Sequence, residues 1–175
     1  MWLKSFTRRG MPVIVLAMAL SCVTTIAGSV TSPSVKASAK SATVRIGTTV
    51  TITIRITHAR NVGSAPFTLL YDPAILEFVG ATSEEGGFLR QNRATTTFLA
   101  KAGPLSRGGG IVVGLSRLDT VRGAAGKGTL CRLTFKAVAP GLSQLNFSRA
   151  ALFNPHAQPI DAVFTGTTIR VRPAS

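Results

Sequence analysis

Residues 66–80 read Pro66-Phe67-Thr68-Leu69-Leu70-Tyr71-Asp72-Pro73-Ala74-Ile75-Leu76-Glu77-Phe78-Val79-Gly80. Phe67, Leu69 and Tyr71 alternate to one side, the pattern of a half-buried strand. Pro73 fixes its own φ and keeps Asp72 out of the helical region, and the Asp72 side chain is placed to cap the turn. Leu76 and Phe78 then resume the alternation. The stretch is strand, Asp-Pro turn, strand.

The cleanest alternation lies upstream, where Val50, Ile52, Ile54 and Ile56 interleave with Thr49, Thr51, Thr53, Arg55 and Thr57. One face of that strand is buried and the other is wet. Further strands are expected over 66–71, 75–82, 94–101, 110–117, 129–138, 143–148 and 166–172. No window sustains a helical period with caps, and 17 glycines and nine prolines punctuate the chain as turns between short strands do. The expected fold is all-β: an antiparallel β-sandwich of about nine strands with jelly-roll topology. Its expected core is Val50, Ile52, Ile54, Ile56, Phe67, Leu69, Leu76, Phe78, Ile111, Val113, Leu133, Phe135, Leu145, Phe147 and Ile169.

Residues 1–27 have the composition of an export signal. Lys4, Arg8 and Arg9 precede an apolar run from Met11 to Ala27, and no further charge appears before Lys36. Cleavage near Ala27 and retention as a signal anchor are both open, and Ala19-Leu20-Ser21-Cys22 partly resembles a lipidation box with Cys22 as acceptor. Any membrane contact is expected through this segment alone. Residues 28–43, rich in Ser, Thr and Ala, are expected to form a flexible tether that includes a first edge strand, and the sandwich spans 34–172. The expected location is the periplasm, cell surface or extracellular space.

Loss of the signal leaves 17 of the 20 basic residues against six acidic ones, a net charge near +11. Export, and aromatics at core-facing positions rather than among the arginines, argue against nucleic acid. A solvated basic face is the first reading, and anionic polysaccharide, lipopolysaccharide or an acidic protein remain as partners. Cys131 then stands alone, on the buried side of a strand with Leu133 and Phe135, so no disulfide within the domain is expected.

Motifs for chemistry are weak. Gly123-Ala124-Ala125-Gly126-Lys127-Gly128-Thr129 has the wrong spacing for a phosphate loop and leads into a strand rather than a helix. His58 and His156 have no metal-ligand spacing, and no Gly-x-Ser-x-Gly elbow occurs. The chain reads as a non-enzyme without metal or cofactor.

About 50 residues after the Asp-Pro turn comes Gly128-Thr129-Leu130-Cys131-Arg132-Leu133-Thr134-Phe135-Lys136-Ala137, followed by Pro140-Gly141. In this order the two motifs resemble the cohesin family over roughly 34–172, a family of β-sandwich modules related in fold to some carbohydrate-binding modules. The resemblance implies a non-catalytic module that docks dockerin-bearing enzymes of polysaccharide breakdown onto a scaffold or cell surface. Where many cohesins carry a polar pair before the strand ending in Tyr-Asp-Pro, this chain has Ser64 and Pro66, and Pro66 offers neither a side-chain acceptor nor a backbone donor. Binding is expected through the strand Ser64–Tyr71, including Thr68 and Leu70, and the loop Gly103–Gly110 with Gly108 and Gly109. Arg117 and Arg132, read as outward-facing, are candidate anchors. A carbohydrate-binding module and a structural subunit of an envelope or secretion assembly are the alternative classes.

Overall fold

A computed structural model describes residues 31–104, 108–118 and 121–174. The export segment, Cys22 and positions 105–107 of the Gly103–Gly110 loop lie outside the described residues. Fourteen strands follow in chain order: β1 Ser34–Ala39, β2 Thr43–Arg45, β3 Thr49–Val62, β4 Phe67–Tyr71, β5 Leu76–Phe78, β6 Glu84–Glu85, β7 Thr96–Pro104, β8 Gly109–Arg117, β9 Ala124–Ala137, β10 Gly141–Ser148, β11 Leu152–Phe153, β12 Pro159–Ile160, β13 Val163–Thr165 and β14 Thr167–Arg172. The expected nine were too few, because short pieces such as β5 and β6 pair separately with the long β9.

Two sheets stack face to face. The first runs β13-β1-β3-β9-β5, with β6 also on β9; the second runs β2-β14-β10-β4-β8-β7; β11 and β12 form a small ribbon. Pairing is antiparallel except for β1 with β13 and β14 with β2. The first strand is interior rather than an edge, seated between β13 and β3 with Val35 and Ala37 fully buried.

The inward rows of the two sheets meet in one core. It includes Ile52, Ile54, Ile56, Leu69, Ile111, Leu133, Phe135, Leu145 and Ile169. Phe78 and Phe147, expected inside, are half-buried and pack at its margin. Phe88 and Leu89 join the core from the irregular stretch between β6 and β7. A Cβ on Gly128 would lie 3.0 Å from Phe88, so the glycine makes room for that ring.

The Asp-Pro turn has the expected cap. Asp72 Oδ1 accepts from Ala74 N–H at 2.9 Å, and the Asp72 carbonyl accepts from the N–H groups of Ile75 and Leu76. The Asp72 N–H donates to Ser143 Oγ at 3.0 Å, and Ser143 is fully buried, so the turn is tied to β10.

Cys131 is fully buried and opposite Glu85 in register. Burial, and then the Glu85 carboxylate, push its thiol up to about 12. The unfolded thiol ionises first, so stability that is whole below about pH 9 falls as pH rises towards about 12, by roughly 1.4 kcal/mol per unit. Urea unfolding at pH 8 and pH 11 checks this: Cys131→Ala should lose less stability across that interval than the parent, by about 2 kcal/mol.

Candidate functional site

The outward face of the second sheet follows from its register. β4 presents Thr68 and Leu70, and β10 presents Leu142, Gln144, Asn146 and Ser148. β8 presents Gly110, Val112, Gly114 and Ser116, with Leu99, Lys101 and Gly103 beside them on β7. Two transverse rows cross the sheet: Ser148-Thr68-Val112-Lys101 and Asn146-Leu70-Gly110-Gly103.

Leu99, Val112 and Leu142 are 59%, 51% and 51% exposed, although each stands on a regular strand whose opposite face is buried. Leu99 and Val112 are diagonal neighbours on β7 and β8, and Val112 is in turn diagonal to Leu70 on β4. Glycines flank the Val112–Lys101 row on both sides, Gly114 beside Leu99 and Gly110 with Gly103 beside Leu70. A Cβ at Gly103 would meet nothing within 4 Å, and one at Gly114 would approach Leu99 only at 4.0 Å. Each glycine leaves a small gap in the outward face where another backbone can come close. On this face lies a depression of about 470 Å³ lined by Leu70, Asp72, Gly108, Leu142, Gln144 and Asn146. No strand of this sheet carries Asp or Glu.

The structure distributes the sequence-predicted residues among four places. Thr68 and Leu70 are on this face, Thr68 being only 7% exposed between its neighbours. Gly108 and Gly109 sit at the β7–β8 hairpin, where Gly109 is in contact range of the Tyr71 ring: a Cβ there would lie 2.9 Å from it. Burial, and then Glu77, raise the Tyr71 hydroxyl above its usual pKa. Ser64 is at the other end, paired through its backbone with Phe153 and lining a cleft of about 300 Å³ with Ser116, Arg117 and Asn154.

The two arginines do not share a surface. Arg132 is outward, but on the first sheet, with its guanidinium 2.7 Å from Glu84. Arg117 does not point outward: it has the parity of Ile111, Val113 and Leu115 and is half-buried, donating from Nη1 to the Leu89 carbonyl at 2.8 Å. It holds the Phe88–Leu89 plug in place. Sequence reasoning missed Leu99, Val112, Leu142 and Gly114. The signal was available in apolar residues at outward parity, which a search for buried rows passes over.

Other chemistry is sparse. Glu85 is almost wholly buried, and its Oε2 accepts from Arg90 and from Thr96 Oγ1 at 2.9 Å. Among the described residues, no group of three or more His, Cys, Asp or Glu side chains is arranged to hold a metal ion.

Two such sheets packed face to face define a β-sandwich module. A family model of the cohesin domain matches residues 35–171, and the chain belongs to the cohesin domain family. No curated protein matches it. Among solved structures it is similar to a non-cellulosomal cohesin from the archaeon Archaeoglobus fulgidus, at 19% identity and a TM-score of 0.63, covering 81% of this chain and 92% of that one. A type II cohesin domain from the cellulosome of Acetivibrio cellulolyticus is 17% identical with a TM-score of 0.64, covering 79% and 95%. A type I cohesin–dockerin complex from Clostridium thermocellum gives 16%, 0.63, 82% and 95%. At these identities the likeness establishes the fold.

Proposed function

We propose that this chain is an exported, non-catalytic docking module that receives a dockerin-bearing partner on the outer face of β10, β4, β8 and β7. The observation carrying this reading is the diagonal of Leu99, Val112 and Leu70 across β7, β8 and β4, with Leu99 and Val112 exposed. An apolar diagonal bordered by Lys101, Thr68 and Asn146 has the make-up of a protein interface. Export rests on the composition of residues 1–27. A link to polysaccharide breakdown would come through the partner's enzyme rather than through this domain.

A carbohydrate-binding role fits this face less well. The described phenylalanines and Tyr71 are buried or half-buried, so none forms an exposed stacking platform of the kind sugars use. Titration of the chain with dockerin modules encoded by the same genome, and with soluble glucans, separates the readings. Saturable binding to a dockerin and none to the glucans is expected; tight glucan binding with no dockerin recovered would reverse the assignment.

A further inference from the structure

The two sheets end on strands of unequal length. β13, β5, β6 and β2 are two or three residues long, as edge strands that must avoid stray pairing often are, whereas β7 runs for nine residues. We infer that the outer edge of β7 is a self-association site, where a second copy of this chain pairs antiparallel about a two-fold axis at Leu99. Such pairing is independent of dockerin binding.

The backbone phase of β7 is set by its neighbour. Leu118 N–H donates to the Thr95 carbonyl, so odd-numbered residues of β7 turn their backbone groups to β8. Those of Thr96, Phe98, Ala100 and Ala102 face the open edge, and none has a backbone partner there among the described residues. The turn Gly80–Thr82 lies near β7, but the N–H groups of Thr82 and Ser83 donate to Val79 and Gly80 instead. Pro104 falls in the edge-facing phase, so its missing N–H costs β8 no bond. The devices that blunt an edge are nearly missing. The register to β8 runs through nine pairs without a bulge, and Lys101 is the one charge on the strand. Both sides of the strand are apolar and incompletely covered: Leu99 is exposed outward, and Phe98 and Ala100 are only half-buried on the core side.

The run Thr96-Thr97-Phe98-Leu99-Ala100-Lys101-Ala102 is its own complement about that axis. Leu99 meets Leu99 of the second copy as the close, non-hydrogen-bonded pair, and Phe98 meets Ala100, a large ring beside a small side chain. Phe98 with Ala100, and Thr96 with Ala102, exchange the backbone bonds. Thr97 meets Lys101, so the two lysines stand about 13 Å apart along the strands, beyond the screening length at physiological salt. Moving the axis to Phe98 or Ala100 sets Leu99 against Thr97 or Lys101 and loses the apolar contact. Pairing at Leu99 also carries the outward diagonal of Leu70, Val112 and Leu99 across the axis into the second copy. An extended segment of another protein would meet the same backbone groups, but self-pairing is what matches these side chains.

Sedimentation velocity of the full chain from about 5 to about 500 µM should show a concentration-dependent shift to dimer. Ala100→Pro removes an edge donor and no bond to β8, so it should weaken association at least tenfold with the circular dichroism of the parent kept. Leu99→Lys changes an exposed side chain, sets like charges opposite each other and should weaken association to a similar degree. Disulfide trapping reads the register. Thr97→Cys and Lys101→Cys chains should cross-link at least fivefold more when mixed than when each is alone, above the background of the parent with its Cys22 and Cys131. A chain that stays monomeric throughout, association unchanged by both edge substitutions, or equal cross-linking in mixed and single samples would overturn the inference. So would a monomer whose β7 amides gain protection only when a dockerin module is added, since the edge would then belong to that partner.

Discussion

Replacing Phe135 with alanine is expected to destabilise the domain by about 3–5 kcal/mol, measured as a shift of the urea midpoint at unchanged slope. The ring is fully buried, and the Tyr71 and Phe78 rings meet it edge-on at centroid distances of 5.2 and 5.7 Å. Tyr71 ends β4 in the second sheet, whereas Phe78 pairs with Phe135 inside the first. Truncation therefore opens a cavity where the two sheets are joined, beside the Asp-Pro turn. The neighbours cannot close it, because β9 is held on both sides by β3 and β5. A cost below about 1 kcal/mol would mean that the sheets do not pack as described.

The second large effect concerns binding. Val112→Asp should weaken binding of a dockerin partner at least 100-fold, about 3 kcal/mol, while changing stability little. Val112 points away from the core at the centre of the outward face, so a carboxylate there is hydrated in the free domain and stripped of water in the complex. Thr51→Asp makes the same charge change on the outer face of the first sheet, where Thr51 stands opposite Thr134. It should leave binding within about twofold. Isothermal titration of both variants, with circular dichroism to verify folding, reads the difference.

Much of the fold was legible because burial imposes a period of two on each strand. Ile52, Ile54 and Ile56 could only face one way, and the Asp72-Pro73 pair could only be a turn. The signal failed where the backbone departs from that period. β3 continues to Val62, but its buried positions after Ile56 are Ala59 and Val62, three residues apart. Register shifts at those points, with His58 and Asn61 in the left-handed region, insert extra residues and erase the alternation. Phe88 and Leu89 were invisible for another reason. They enter the core from an irregular segment with no period at all.

The candidate site was harder to read. Thr68, Leu70 and the hairpin glycines were found through the strand and loop that carry them. Leu99, Val112 and Leu142 were not, since with Ile111 and Val113 read as core the intervening Val112 was left unassigned, although its parity turns it outward. Arg117 was misread because its charge suggested solvent while its parity placed it with Leu115.

Hydrogen–deuterium exchange of the domain, free and with a dockerin module, should slow on binding in β7, β8, β4 and β10, around Leu99, Val112, Leu70 and Leu142, with β1 and β3 unchanged. Protection confined to β1, β3 and β9 would contradict docking on this face.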